Sequence, residues 1–224
     1  MKRRALATLF AGLFALALGT ASVTAEAAAP ADVDAAVAAV EARYASIESL
    51  TANFEQRSIS VAMGTEDVQV GNLAVKRPKN MRWEFTAPDA ALMVSDGDQM
   101  WVHSVATNQV IQYSVQGATS GPESLLTDLA SVREQFNVEL ITADAPLAGH
   151  FALRLTPKTP QSYKSVTLEL HEESVLVGRI TIVDSFDNET ILTLSDVVMN
   201  GSVSDSLFVF EVPAGAEVIR ADAM

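Results

Sequence analysis

Two hydrophobic periods meet at Leu50. From Pro30 to Ser49 the apolar residues Val33, Val37, Val40, Tyr44 and Ile47 recur at helical spacing with alanines between them, which predicts an amphipathic helix. Beyond it the period drops to two. Leu50, Ala52 and Phe54 alternate with Thr51, Asn53 and Glu55, the mark of a strand with one buried face. Alternating segments then follow one another: Val68 to Val75, interrupted by Gly71; Met81, Trp83 and Phe85; Leu92 to Ser95; Met100 to Val105; and Val110 to Val115. Gly71 inside such a run signals a bulge or a close approach of backbones. Asp96-Gly97 and Thr107-Asn108 supply hairpin turns.

One segment departs from this pattern. Gly121-Pro122-Glu123 has the features of a helix start, and Leu125, Leu129, Val132 and Phe136 continue it as a second apolar stripe. Strands resume at Val138 to Thr142, Phe151 to Thr156, Val166 to Leu170, Val175 to Val183 and Thr190 to Val198, with Asp187-Asn188 turning the last pair. A final apolar segment runs from Leu207 to Val212 and stops at Pro213. About eleven strands joined by hairpin-length links imply antiparallel pairing, because parallel neighbours need long crossovers. No linker divides the chain, so one domain is expected, and a sheet this long curls into a barrel or splits into a sandwich.

The N-terminus changes where this domain is expected to work. Met1-Lys2-Arg3-Arg4, an apolar stretch from Ala5 to Leu18 and small residues after it form a secretory signal, with cleavage expected after Ala25 or Ala27. The stretch is shorter than the roughly 20 apolar residues a spanning helix needs. Residues 1–27 are thus read as leader and 28–224 as the exported domain, with a bacterial periplasm the compartment that fits best. The chain carries a net charge of −13 at pH 7, and losing three basic residues with the leader makes the remainder more acidic still. Such a surface repels nucleic acid and anionic headgroups. With no cysteine, disulfides, thiol nucleophiles and thiolate metal sites are excluded.

Chemistry is sparse. His103, His150 and His171 have no metal-ligand spacing, and there is no GxSxG elbow or phosphate-binding glycine loop. No catalytic residue, metal or cofactor is expected. Ser95 near His103 is the one nucleophile–base pairing a hairpin could create, although Ser95-Asp96-Gly97 is also explained as turn chemistry. The aromatic and methionine residues are more suggestive. Met81, Trp83 and Phe85 share one strand face, and Met93, Met100 and Trp101 lie on the next hairpin. Core packing is the default for such side chains, but methionine also lines surfaces that adapt to varied apolar ligands.

The string Gly71-Asn-Leu-Ala-Val-Lys-Arg-Pro-Lys-Asn-Met-Arg-Trp-Glu-Phe85 resembles the LolA family of outer-membrane lipoprotein carriers. So do Phe54-x-Gln56, the run from Pro88 through Val94-Ser95-Asp96-Gly97 to Trp101, Leu155-Thr156-Pro157-Lys158 and the closing Phe210 to Gly215. The resemblance implies an incomplete antiparallel barrel with helices as a lid over an apolar cavity. It also implies a monomeric carrier that takes triacylated lipoproteins from an inner-membrane ABC transporter (LolCDE-like) to an outer-membrane receptor (LolB-like). Phe54, Leu73, Met81, Trp83, Phe85, Met93 and Trp101 would then line the acyl cavity, and Arg77 would latch the lid through backbone carbonyls. Met81 stands where the family can carry an aromatic. Alternatives are a carrier of another amphiphile, such as a glycolipid, and a lipid-modifying hydrolase built on Ser95 and His103.

Overall fold

In this computed structural model residues 30–115, 129–141 and 147–221 are described. The expected leader and the helix start at Gly121–Leu125 lie outside them.

Helix α1 (Val33–Ala45) begins where Asp32, in extended conformation, accepts a hydrogen bond from Ala35 N at 2.8 Å, the usual role of an N-cap carboxylate. Strands β1 (Ser49–Ser60), β2 (Thr65–Lys76), β3 (Asn80–Ala87), β4 (Ala91–Asp96), β5 (Gln99–Ser104) and β6 (Gln109–Ser114) form a meander. A 3-10 turn (Leu129–Ser131) and a single-turn helix, α2 (Val132–Gln135), lead into β7 (Phe136–Ile141). Strands β8 (His150–Pro157), β9 (Tyr163–His171), β10 (Val177–Asp184) and β11 (Glu189–Met199) form a second meander, and β12 (Glu217–Arg220) ends the described chain. The order across the sheet is β12-β6-β5-β4-β3-β2-β1-β11-β10-β9-β8-β7. The two meanders join where β1 pairs with β11, and β12 and β7 remain as edges. The sheet is therefore open, a barrel that does not close.

Period-two patterning gives this sheet two distinct faces. Register places Leu50, Ala52 and Phe54 beside Val75, Leu73 and Gly71, and these beside Met81, Trp83 and Phe85. In the second meander Leu192, Ile180, Leu168, Leu153 and Leu140 stand in one cross-strand row. These residues belong to one apolar cluster, which α1 completes with Ala36, Val37, Val40 and Tyr44.

The described residues hold twelve strands, in keeping with the eleven or so expected, and one departure from antiparallel pairing: the twelfth pairs parallel to β6, with Val218 opposite Val110. The apolar segment Leu207 to Val212 is a 3-10 turn (Asp205–Phe208) and extended coil outside the sheet ladder, packed on β3 and β4. Within the expected second stripe, Phe136 opens β7, so helix and strand share that run. At Gly71 the β2–β3 register shifts, and a β-carbon there would lie 2.0 Å from the Glu84 carbonyl oxygen and 2.7 Å from Phe54 Cζ. Both readings of that glycine hold.

On the outer face, β8 and β9 bring the His150 and His171 rings to a centroid separation of 3.8 Å, above buried Glu169 and its 3.6 Å ion pair with Arg179. Burial, then the charge of His150, pushes the His171 imidazole below its ordinary 6.5, while Glu173 pulls the other way. Burial lifts the Glu169 carboxyl, opposed first by Arg179 and then by His150. A depressed imidazole favours the neutral ring in the fold, so its stabilisation is full above pH 6.5 and fades as pH falls below that value. Glu169 acts with the opposite sign above pH 4.5. Comparing Tm at pH 7.5 and 5.5 for the parent and His171→Asn isolates the imidazole. The parent is expected to lose more stability on acidification than the variant.

Candidate functional site

The inner face of the sheet is the extended apolar surface that the fold organises around, and its most aromatic part lies on β1 and β3. Phe54 packs on Trp83 with ring centroids 4.9 Å apart and on Phe85 at 5.1 Å, edge to face. Such pairs add about 0.5–1.5 kcal/mol each beyond the area they bury. Leu73 and Met81 flank them in register and are buried, while Phe85 and Met93 are partly covered at the margin. Six of the seven residues expected to line a cavity thus share one surface. Trp83 is 1 % exposed, and its indole N–H has no acceptor among the described residues. A buried donor left unpaired costs free energy.

Trp101 is the exception. Opposite Val94 and Gln112, it lies on the outer face and stacks on Phe210 with centroids 5.8 Å apart, so it is not part of this surface. One residue of strand separates the faces, and Trp101 follows inward-facing Met100. The same parity disposes of the nucleophile–base pairing. Ser95 aligns with Met81 and Met100 on the inner face, whereas His103 aligns with Leu92 and Val110 on the outer one. Ser95 Oγ instead accepts from Gly97 N at 3.2 Å, and His103 Nε2 lies 3.3 Å from Asn108 Oδ1. Among the described residues no group of three or more His, Asp or Glu side chains is arranged to hold a metal ion.

Helix α1 covers the inner face from the β7 side, against the Leu129–Ser131 turn. Few polar contacts hold it. The Arg77 guanidinium donates to the Tyr44 carbonyl in the last turn of α1 at 2.7 Å, and Arg77 N donates to Glu48 O at 2.8 Å. The Tyr44 hydroxyl accepts from Val177 N on β10 at 3.0 Å, and burial pushes its pKa up to about 12. At the other end of the helix Arg133 donates to Asp34 Oδ1 at 2.9 Å and to Asp34 O at 2.8 Å, while its backbone N–H donates to Glu41 Oε1 at 2.9 Å. Sequence reading singled out Arg77 but missed Arg133. Its signal was present in Asp34 and Glu41, seven residues apart and hence on one face of α1, waiting for a cation.

The matches to known proteins agree with this geometry. The family described as outer membrane lipoprotein carrier protein LolA matches residues 45–211 of the chain.

This chain belongs to the LolA family.

It is 31% identical over 219 residues to an outer-membrane lipoprotein carrier protein of Pseudomonas paraeruginosa (strain DSM 24068 / PA7), covering 97% of this chain and 99% of the relative. A carrier of the same description from Chromobacterium violaceum is 30% identical over 207 residues, 92% of this chain and 97% of that one. A crystal structure of an uncharacterised conserved protein from Thermus thermophilus has the same fold, with a TM-score of 0.51 at 14% identity over 83% of this chain and 96% of its own.

Arg133 and Asp34 are largely solvated, so their ion pair is worth at most about 1 kcal/mol. Arg133→Ala should therefore raise the population of a displaced α1 about fivefold. Arg77→Leu, which removes a better-shielded charge-assisted bond, should raise it at least as much. Amide hydrogen exchange across residues 33–45 reads both. Unchanged exchange in the two variants would show that apolar packing alone holds the helix.

Proposed function

We propose that this protein is a periplasmic carrier that shelters the acyl chains of lipoproteins against the inner face of its open sheet, beneath α1. Its membership of the lipoprotein carrier family supports the role. The observation that carries the site is the continuous apolar row through Phe54, Leu73, Met81, Trp83, Phe85 and Met93, which shares one apolar cluster with α1, a helix held through a handful of polar bonds. Each buried CH₂ is worth about 0.8 kcal/mol, so a triacylated protein cannot cross water unaided. A carrier must hide those chains and still release them. On this reading α1 is the lid and Arg77 its latch. Helix and acyl chains compete for one surface, so loading requires displacement of the helix, and its return favours unloading. Ligand moves the helix only as far as its preference for the open form allows. Arg77 and Arg133, holding opposite ends of α1, set that balance.

Loading is taken to occur at an inner-membrane ABC transporter of the LolCDE kind and unloading at an outer-membrane receptor of the LolB kind. The polarity of the two tryptophan sites supplies the test. A triacylated lipoprotein transferred to the protein without detergent should shift tryptophan emission. Trp101→Phe should retain the shift and Trp83→Phe should abolish it, both variants remaining folded by circular dichroism. A shift that survives loss of Trp83 would move the ligand off the inner face.

Export follows from the leader. N-terminal sequencing of the protein from a periplasmic extract should begin at Glu26 or Ala28. Recovery of the full-length chain in the membrane fraction would oppose a free carrier. Catalysis has no part in this reading, because sheltering and release involve no bond making.

A further inference from the structure

Two large apolar side chains are the most exposed among the described residues, Phe186 at 79% and Met63 at 75%; Val209, on the C-terminal segment, follows at 64% and Val61 at 60%. Phe186, Met63 and Val61 stand at the tips of two hairpins that are neighbours in the sheet. β1 and β11 pair as far as Ile59 and Glu189, and beyond that point Val61 N donates to Asn188 Oδ1 at 3.1 Å, tying one tip to the other. Val68 and Val70 continue the exposed apolar surface along β2.

These tips are built rather than frayed. Asp184 Oδ1 accepts from Phe186 N at 2.7 Å and from Asn188 N at 2.9 Å, and its Oδ2 accepts from Asn188 Nδ2 at 2.9 Å. Three hydrogen bonds to one carboxylate fix the turn that displays Phe186. Lys164 Nζ braces the same turn at 2.6 Å from Asp187. In the other tip Gly64, at φ 62°, closes the turn with a bond from its N–H to Ser60 O at 2.9 Å. A pre-ordered aromatic and a methionine held in water cost solvation without adding to the core. That arrangement suits an anchor entering a partner's pocket, since little side-chain or loop entropy is then lost on binding.

Charge selects the occupant. Glu66, Asp67, Asp184, Asp187 and Glu189 lie at or next to the tips, while the nearby cations Arg57 and Lys164 are already paired with Glu66 and Asp187. An anionic bilayer would be repelled by this rim, and a second copy of the chain would set the same carboxylates against each other. An apolar recess edged with lysine or arginine satisfies both features.

We propose that Val61, Met63 and Phe186 form a docking knob that seats in a basic-rimmed apolar recess of the membrane-bound protein with which this carrier exchanges cargo. The inference rests on the carrier reading but concerns a surface remote from α1, so the two can fail separately. The test uses the full mature chain and a variant carrying Val61→Ser, Met63→Ser and Phe186→Ser. Cargo transfer is followed from the bacterium's purified lipoprotein transporter in proteoliposomes to the carrier, and from the loaded carrier to the purified receptor. Binding of a fluorescent triacylated peptide is measured alongside. The variant should bind the peptide within twofold of the parent yet perform at least one transfer step about tenfold more slowly. For the parent, that step should slow severalfold between 50 and 300 mM NaCl. A second variant, Asp67→Asn with Glu189→Gln, should lose most of that salt dependence.

Unchanged transfer by the triple variant, with normal peptide binding, would overturn the docking knob and leave the carrier reading intact. Failure of the parent to bind the peptide would instead overturn the carrier reading. Flotation of the parent, but not the triple variant, with phosphatidylethanolamine–phosphatidylglycerol vesicles would replace the protein partner by a lipid surface. Concentration-dependent dimerisation lost in the triple variant would replace it by a second copy.

Discussion

An open sheet with one largely apolar face cannot stand in water uncovered, and the rest of this structure follows from how that face is covered. Closure into a barrel would have buried it permanently. Here β12 and β7 remain as edges, and among the described residues the inner face is covered by α1 and the short Leu129–Gln135 segment. Apolar burial is strong but non-directional, so it does not distinguish the protein's own helix from acyl chains that cover the same area. Direction comes from the polar contacts, which only the helix can make: Arg77 to Tyr44 O, Tyr44 Oη to Val177 N, and Arg133 to Asp34 and Glu41. These are modest in free energy. A surface whose occupant is chosen by a few kcal/mol on top of a large shared apolar term is suited to exchange, and a carrier needs that property more than tight binding.

The outer face is managed differently. Val94 and Val110 are buried there beneath the C-terminal segment, whose Phe208 is likewise buried. Lys76 bonds to Val203 O and to Asp205, and Arg82 reaches Leu207 O, so this strap is tied to β2 and β3 by side chains on the face it covers. Trp101 and Phe210 close it by stacking. The strap ends in β12, whose parallel pairing with β6 covers what would otherwise be the long edge of the first meander. With the outer face fixed in this way, the covering of the inner face becomes the element free to change.

Acidity and apolar display are separated in space. The chain carries a net charge of −13, and a net charge far from zero opposes association between copies. The hairpin tips concentrate exposed Met63 and Phe186 in a small region with carboxylates at or next to it. A patch so placed is selective, because approach is favourable only for a surface of opposite sign.

Hydrophobic period and turn chemistry in the chain itself determined the α1 stripe, the position of nearly every strand, the bulge at Gly71 and the Asp-Gly turn at Gly97. Those features depend on residues close in sequence, and local rules carry them. The resemblance of Gly71 to Phe85 to one family then singled out Arg77 as a residue that reaches a covering helix. Tertiary structure decided what local rules cannot see. Inner and outer faces of a strand are named only by the neighbour that packs on them, so Trp83 and Trp101 look alike in sequence and lie on opposite sides. Arg133 became a clamp because β7 brings it back to α1 across about a hundred residues, and β12 found β6 over a similar span. The knob of Val61, Met63 and Phe186 is equally non-local. It exists because β1 pairs with β11, a register fixed by the apolar face those strands share and not by anything within either hairpin.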